Sequence, residues 1–413
     1  MIFRIDVAPR RGLSLALLLL VIPFLTVTAR SQTPGGPEAD PSREAWRIDV
    51  QPHAVLGSGH PGTRPSDINQ PDGLDFTATG LLLVTDSMNR RVQIWNVQTG
   101  ERVGEFGSRQ LGGEATNVAV APSGTVYVAD SELNLVYVFE PGAPGKAPYK
   151  FVGTRFGDEG FRKLGGMVVD AKNRLYIADG KKWEVRRYLP DGKADPTWKF
   201  ERTLQDGDTA LHRCEGMAID EPRGLLYVAS EADFVLKAFN LETGAFTRRM
   251  VGAIPDREGR KTGTGVFAGV VEGLATTSGY LLAVDEAAGH IHIFDRAVDD
   301  ILDTDLPGYA AKLGSKPTSY KGFFGHSPKV NFDVDDSPNP DFEMRKRVDA
   351  GLVNPGMVNP PGYFCSPDEV AAYTDPSTGE TWIAIADQCN FRVVVYRGSD
   401  IERAARARVI PAR

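Results

Sequence analysis

The chain is poor in cysteine, histidine and net positive charge. Its 413 residues include three cysteines and six histidines, and 47 Lys and Arg face 54 Asp and Glu for a formal charge of -7. Three cysteines cannot build a disulfide scaffold, and no His and Cys grouping has the spacing of a zinc site. A negative chain without a basic patch interleaved with aromatics lacks the electrostatic footprint of a nucleic-acid binder. Beyond the N-terminus, no apolar run reaches the roughly 18 residues that argue for a membrane-spanning helix. What the chain has in quantity is turn-formers, 44 Gly and 28 Pro, in an otherwise ordinary globular composition.

The N-terminus carries Arg4, Arg10 and Arg11, then an apolar run over 13–27, then small residues ending at Ala29. This is a signal-peptide pattern over 1–29, which predicts export to the periplasm or the medium and no membrane span after cleavage. Residues 30–45 are polar and rich in Pro and Gly, the composition of a disordered linker. Cys365 and Cys389 flank one repeat and are the preferred pair for a single bridge, with Cys214 a buried free thiol. The alternative leaves all three unpaired.

From Trp46 onward a strand repeat recurs six times. GLLLVTDSMNRRVQIW (80–95), GTVYVADSELNLVYVF (124–139), NRLYIADGKKWEVRRY (173–188), GLLYVASEADFVLKAF (224–239), GYLLAVDEAAGHIHIF (279–294) and TWIAIADQCNFRVVVY (381–396) each read as strand, polar turn, strand. The residue closing the first of these strands is followed nine places later by an aromatic in every copy: Asp86 and Trp95, Asp130 and Phe139, Asp179 and Tyr188, Ser230 and Phe239, Asp285 and Phe294, Asp387 and Tyr396. Upstream lies a small-residue strand, as in DGLDF (72–76) and EGMAI (215–219), and downstream a strand ending in Gly, as in GEFG (104–107). Four antiparallel strands per repeat make a blade, so the expected fold is an all-β, six-bladed β-propeller over 46–400. The segment AVLG (54–57) matches an outer strand without a blade of its own, and would close blade 6. The last interval between closing residues is nearly double the others. Residues 297–364 there lack the repeat signature and read as an insertion between blades 5 and 6, and 401–413 read as a C-terminal tail.

Innermost strands line a propeller's channel. The residue opening each inner strand is Asp72, Thr116, Gly165, Glu215, Glu272 and Asp368 in blades 1 to 6, so four carboxylates fall in consecutive blades of the closed ring. Glu231 and Glu286 follow the closing positions of blades 4 and 5, and Glu369 adjoins Asp368. Crowded carboxylates resist ionisation unless a cation joins them, and Ca²⁺ suits hard oxygen donors in adaptable geometry. The metal set read from the sequence is therefore Asp72, Glu215, Glu231, Glu272, Glu286 and Asp368. The competing reading is that these side chains cap inner-strand turns through backbone N–H groups. The closing Asp residues recur in nearly every blade and read as turn-formers. His290 and His292 alternate on a strand and read as surface residues.

The repeat as a whole resembles NHL-type propeller repeats. GKKWEVRRY (180–188), CEGMAIDEPRGLLYVASE (214–231) and VEGLATTSGYLLAVDEAAGHIHIFDR (271–296) resemble the corresponding blades of the β-propeller phytases. That resemblance implies a Ca²⁺-dependent phosphoric ester hydrolase. Glu215 and Glu272 would be its catalytic carboxylates, Glu231 a further Ca²⁺ ligand, and Lys181 with Arg260 or Arg257 its phosphate contacts. Departures exist: blade 1 has Met88 and Asn89 with Arg90 and Arg91 displaced, blade 2 has Glu132, and blade 6 has only SPDEV (366–370). The expected ligand at the channel mouth is a small phosphorylated molecule, or a protein, peptide or glycan if the propeller is non-catalytic. A third expectation is a lactonase-like Ca²⁺ site.

Overall fold

In the computed structural model, the structure describes residues 47–143, 148–155, 160–200, 214–230, 235–251, 267, 270–296, 320–326 and 359–407. The chain divides into Met1–Pro41, outside the described residues, and Ser42–Arg413, which holds the fold. The expected signal segment, Glu231, Arg257 and Arg260 also lie outside the described residues.

After β1 (Ala54–Leu56), blade 1 comprises β2 (Pro71–Phe76), β3 (Leu81–Asp86), β4 (Arg91–Asn96) and β5 (Glu101–Phe106). Blade 2 comprises β6 (Ala115–Val120), β7 (Val126–Asp130), β8 (Leu135–Pro141) and β9 (Tyr149–Arg155). Blade 3 shows β10 (Leu164–Val169), β11 (Leu175–Asp179) and β12 (Glu184–Tyr188), with Ala194 bridging to Tyr188 at its outer edge. Blade 4 comprises β13 (Cys214–Asp220), β14 (Leu225–Ser230), β15 (Val235–Asn240) and β16 (Phe246–Val251). Blade 5 comprises β17 (Val271–Thr276), β18 (Tyr280–Asp285), β19 (His290–Asp295) and β20 (Tyr320–Phe324). Blade 6 comprises β21 (Pro367–Thr374), β22 (Thr381–Asp387) and β23 (Arg392–Arg397).

Each sheet is an antiparallel meander in that order, and β1 completes blade 6 by pairing with β23 in the register Ala54↔Val395. The inner strands contact one another in the sequence β2, β6, β10, β13, β17, β21 and back to β2. The chain is a six-bladed β-propeller.

The repeat's aromatics explain its cohesion. Trp95, Phe139, Tyr188, Phe239, Phe294 and Tyr396 are all buried, in apolar clusters packed between neighbouring blades. Burying a large aromatic side chain in this way stabilises by about 2–3 kcal/mol. The closing Asp residues do more than form turns. Asp86 accepts from Asn69 N at 2.7 Å, Asp130 from Gly113 N at 2.7 Å, Asp179 from Arg162 N at 3.1 Å and Asp387 from Cys365 N at 2.8 Å. Each donor lies three residues before the position that opens the inner strand, so the Asp staples the incoming loop to the middle of the blade. Blades 1 and 6 strengthen the staple with Arg91 Nε to Asp86 at 2.6 Å and Arg392 Nε to Asp387 at 2.7 Å.

Three expectations change. The insertion over 297–364 contains β20, the outer strand of blade 5, which also receives a parallel bridge from Arg47 to Phe323; residues 297–319 and 327–358 lie outside the described residues. Residues 401–407 of the tail belong to α1 (Gly398–Ala407), seated on blade 6 through buried Ile401, and 408–413 lie outside the described residues. His292 is 2% exposed, between Phe267 and Phe323, because β19 is an interior strand covered by β20. All three cysteines are buried with free thiols, so the structure holds the expected Cys365–Cys389 pair in its reduced form. Among the described residues, no helix is long and apolar enough to cross a membrane.

Candidate functional site

Every inner strand bulges just after its first residue, at Pro71/Leu74, Ala115/Asn117, Leu164/Met167, Cys214/Met217, Val271/Leu274 and Pro367/Val370. A bulge leaves a residue outside the ladder and re-aims its side chain. Here it places the residue opening each inner strand at the channel. In blades 1, 3, 4 and 5 the residue that follows is a glycine demanded by crowding: a Cβ on Gly73 would meet Asn117 Cα at 2.5 Å, and one on Gly216 would meet the Glu272 carbonyl oxygen at 1.9 Å.

Asp72, Glu114, Thr116, Asn117, Ser131, Lys163, Glu215, Glu272, Asp368 and Glu369 surround one cavity of about 370 Å³ at this end of the channel, with backbone of blades 3 to 5 completing it. The four opening carboxylates read from the sequence therefore reach one volume. They do not act as one group.

Glu215 is drawn toward blade 3. Gly165 and Gly180 carry no side chain there, and positions for their Cβ atoms would lie 2.7 Å and 3.3 Å from the Glu215 carboxylate. Lys163 Nζ holds that carboxylate in an ion pair. Lys163 precedes the aligned inner-strand position by two residues, which is why the repeat alignment passes over it.

Asp72 and Asp368 form the second group. Gln388 Nε2 donates to Asp72 at 2.9 Å and to Asp368 at 3.1 Å, and Ser87 Oγ donates to Asp72 at 3.1 Å. One amide nitrogen thus bridges two carboxylates from adjacent blades. Removal from water, the charge of Asp72 and a hydrogen bond to it, and then the charges of Glu272 and Glu286 push the Asp368 carboxyl well above the usual range. Glu286 itself accepts a hydrogen bond from Ser366 Oγ.

Deeper in the channel a second cavity of about 210 Å³ is lined by Asp75 and largely apolar strand residues. Asn117 and Glu369 border both cavities, and Asn117 Nδ2 reaches Glu369 Oε2 at 3.5 Å. Blades 2 and 6 both flank blade 1, so the two side chains meet where Gly73 offers none. Burial pushes Glu369 up to about 8, and burial likewise pushes Asp75 up to about 7.

Lys181 is exposed on the turn after β11, its backbone N–H donating to Asp179 at 3.2 Å, and does not line the cavity. Among the described residues, no three His, Cys, Asp or Glu side chains converge tightly enough to hold a metal ion. Glu215 is paired off with Lys163. Sequence reasoning missed Lys163, Glu114, Asn117 and Gln388; the glycine at position 165 was the available signal that a neighbouring carboxylate would lean that way.

No family model matches the chain, and no curated protein matches it in sequence. Solved structures do. The streptogramin B lyase structure is 10% identical with a TM-score of 0.48, over 86% of this chain and 99% of that one. The PQQ-bound aldose sugar dehydrogenase from Streptomyces coelicolor is 13% identical with a TM-score of 0.46, over 85% and 98%. A chain of the nidogen/laminin complex is 16% identical with a TM-score of 0.40, over 55% and 76%.

Proposed function

We propose that the channel mouth is a Ca²⁺-dependent hydrolytic site for a small ester. The observation that supports it is the Asp72–Asp368 pair, which Gln388 holds together against its own repulsion, with Glu272 and Glu286 adding charge. Stability alone gives no reason to hold ionisable groups in that arrangement, whereas a cation would turn the repulsion into attraction. The donors are hard oxygens, which fit Ca²⁺ and not Zn²⁺. Asp72 and Asp368 would hold the ion as a two-carboxylate site, with water and substrate oxygens completing its coordination, since no three such side chains converge among the described residues. When bound, it would polarise the ester oxygen and acidify a coordinated water.

The chain's own residues supply the rest. Gln388 fixes the orientation of the two aspartates, and Lys163 keeps Glu215 poised at the cavity wall, where it can accept a proton from water. Phosphoric esters are the first substrate class, through the resemblance of blades 3 to 5. Lactones are the second, because Lys163 is the one Lys or Arg among the described lining residues and is already engaged by Glu215. A neutral ester makes smaller demands on cationic contacts. On the N-terminal pattern the protein works in the periplasm or the medium.

The test is turnover of a phosphate-monoester panel and a lactone panel in Ca²⁺ and in EDTA. The expected result is hydrolysis in one panel, abolished by EDTA and lowered on the order of 100-fold in Asp368→Asn. Ca²⁺ binding with no turnover in either panel would overturn the hydrolase and leave a non-catalytic binding propeller.

A further inference from the structure

We infer that Cys365 and Cys389 are an oxidisable thiol pair, and that their disulfide clamps the two segments that hold the acidic mouth in place. Cys365 sits in the loop entering β21 and Cys389 in the turn leaving β22. Three hydrogen bonds lay these segments side by side: Cys389 N to Cys365 O at 3.1 Å, Gln388 N to Ser366 O at 3.3 Å, and Cys365 N to Asp387 at 2.8 Å. The two residues are 1% and 5% exposed.

The neighbours of the two cysteines give the pair its significance. Ser366 donates to Glu286, and Gln388 donates to both Asp72 and Asp368. Each segment thus carries one cysteine next to one residue that positions a carboxylate. Ser366 is also held at φ +49°, a left-handed conformation that non-glycine residues adopt only when the surroundings impose it. A covalent tie between 365 and 389 fixes that conformation and the Gln388 side chain together.

The chemistry balances as thiol–disulfide exchange. The two thiols lose two protons and two electrons as the S–S bond forms, and a disulfide oxidoreductase or small-molecule disulfide is reduced to two thiols. Cys214 takes no part, since it is buried in blade 4 with its thiol toward Asp179 O at 3.5 Å. The hydrogen bond to Cys365 and burial push the Cys389 thiol well above its ordinary value, so it attacks slowly once folded. The bridge accordingly forms during folding and is then shielded from reductant.

The experiment is refolding of the full chain in a glutathione redox buffer, followed by alkylation under denaturing conditions and peptide mass spectrometry. One alkylated cysteine, Cys214, and a linked peptide containing 365 and 389 are expected. Native protein should resist dithiothreitol that reduces the unfolded chain, and the bridged form should melt several degrees above the reduced form, a difference absent in Cys365→Ser. Cys389→Ser should show two alkylated cysteines and no bridge. Three alkylated cysteines in the wild type under oxidising refolding, or a bridge that includes Cys214, overturns the inference. The bridge asks nothing of the ester chemistry, so turnover and thiol counts fail independently.

Discussion

Glu369 leans from blade 6 over Gly273, and its Oε1 receives the Val370 N–H at 3.0 Å while Asn117 approaches from blade 2. Its pKa of about 8 and that of Asp75 at about 7, both raised by burial, fix a sign for the pH dependence of stability. In the unfolded chain such carboxyls ionise near pH 4 (about 3.9 to 4.3). Between there and about pH 8 the folded state holds protons that the unfolded state has released, so stability falls as pH rises. The contribution is complete below about pH 4 and gone above about pH 8. The melting temperature should therefore decline from about pH 5 to about pH 8.5, and Glu369→Gln should flatten that decline. A wild-type melting temperature that rises over this interval would contradict the assignment. The sequence placed Glu369 beside Asp368 and gave it no separate role. Its position between two cavities depends on glycine at 73 and asparagine at 117, residues far away in the chain, and no local pattern carries that information.

At the level of elements, the repeat was legible because its signals are local. Strand, turn, strand and the aromatic nine residues on report one blade's own packing, and all six aromatics are interior. Asp130, Asp179 and Asp285 read correctly as turn residues, accepting from Leu133 N, Lys182 N and Ala288 N. Asp86 and Asp387 accept from no backbone N–H of their own turns and instead reach back to the loop at Asn69 and Cys365, which the linear pattern does not display. Strand β20 was hidden for a related reason: it pairs with β19 across a long connection and lacks the aromatic spacing. The staple makes a strong demand on stability. Asp387 is fully buried and accepts from Arg392, Asn390 and Cys365 N, so Asp387→Ala leaves a buried guanidinium without its carboxylate. Removing one partner of a buried pair costs about 3–5 kcal/mol. Chemical denaturation should show a loss of that size, whereas a loss under about 1 kcal/mol, the range of exposed pairs, would mean that the staple is not structural.

Across the whole molecule, six similar blades form a ring with unequal chemistry. β1 and β23 close it in blade 6, beside the carboxylates of blades 5, 6 and 1, while blade 3 contributes glycine at position 165 and the lysine that engages Glu215. The sequence showed which blades carry carboxylates; it could not show that Glu215 separates from the others, because that split rests on a lysine outside the aligned column. On the proposed function, Asp72 and Asp368 are kept together for a cation. The direct measurement is calorimetric titration of the full chain with Ca²⁺, wild type against the Asp72→Asn, Asp368→Asn double variant, with melting temperatures of both Ca²⁺-free proteins. The wild type should bind Ca²⁺ and the double variant should lose at least about tenfold in affinity, about 1.4 kcal/mol, while melting no lower than wild type without Ca²⁺, because repulsion has been removed. A wild type that takes up no Ca²⁺ at millimolar concentration, or a double variant that binds it equally well, would contradict the claim.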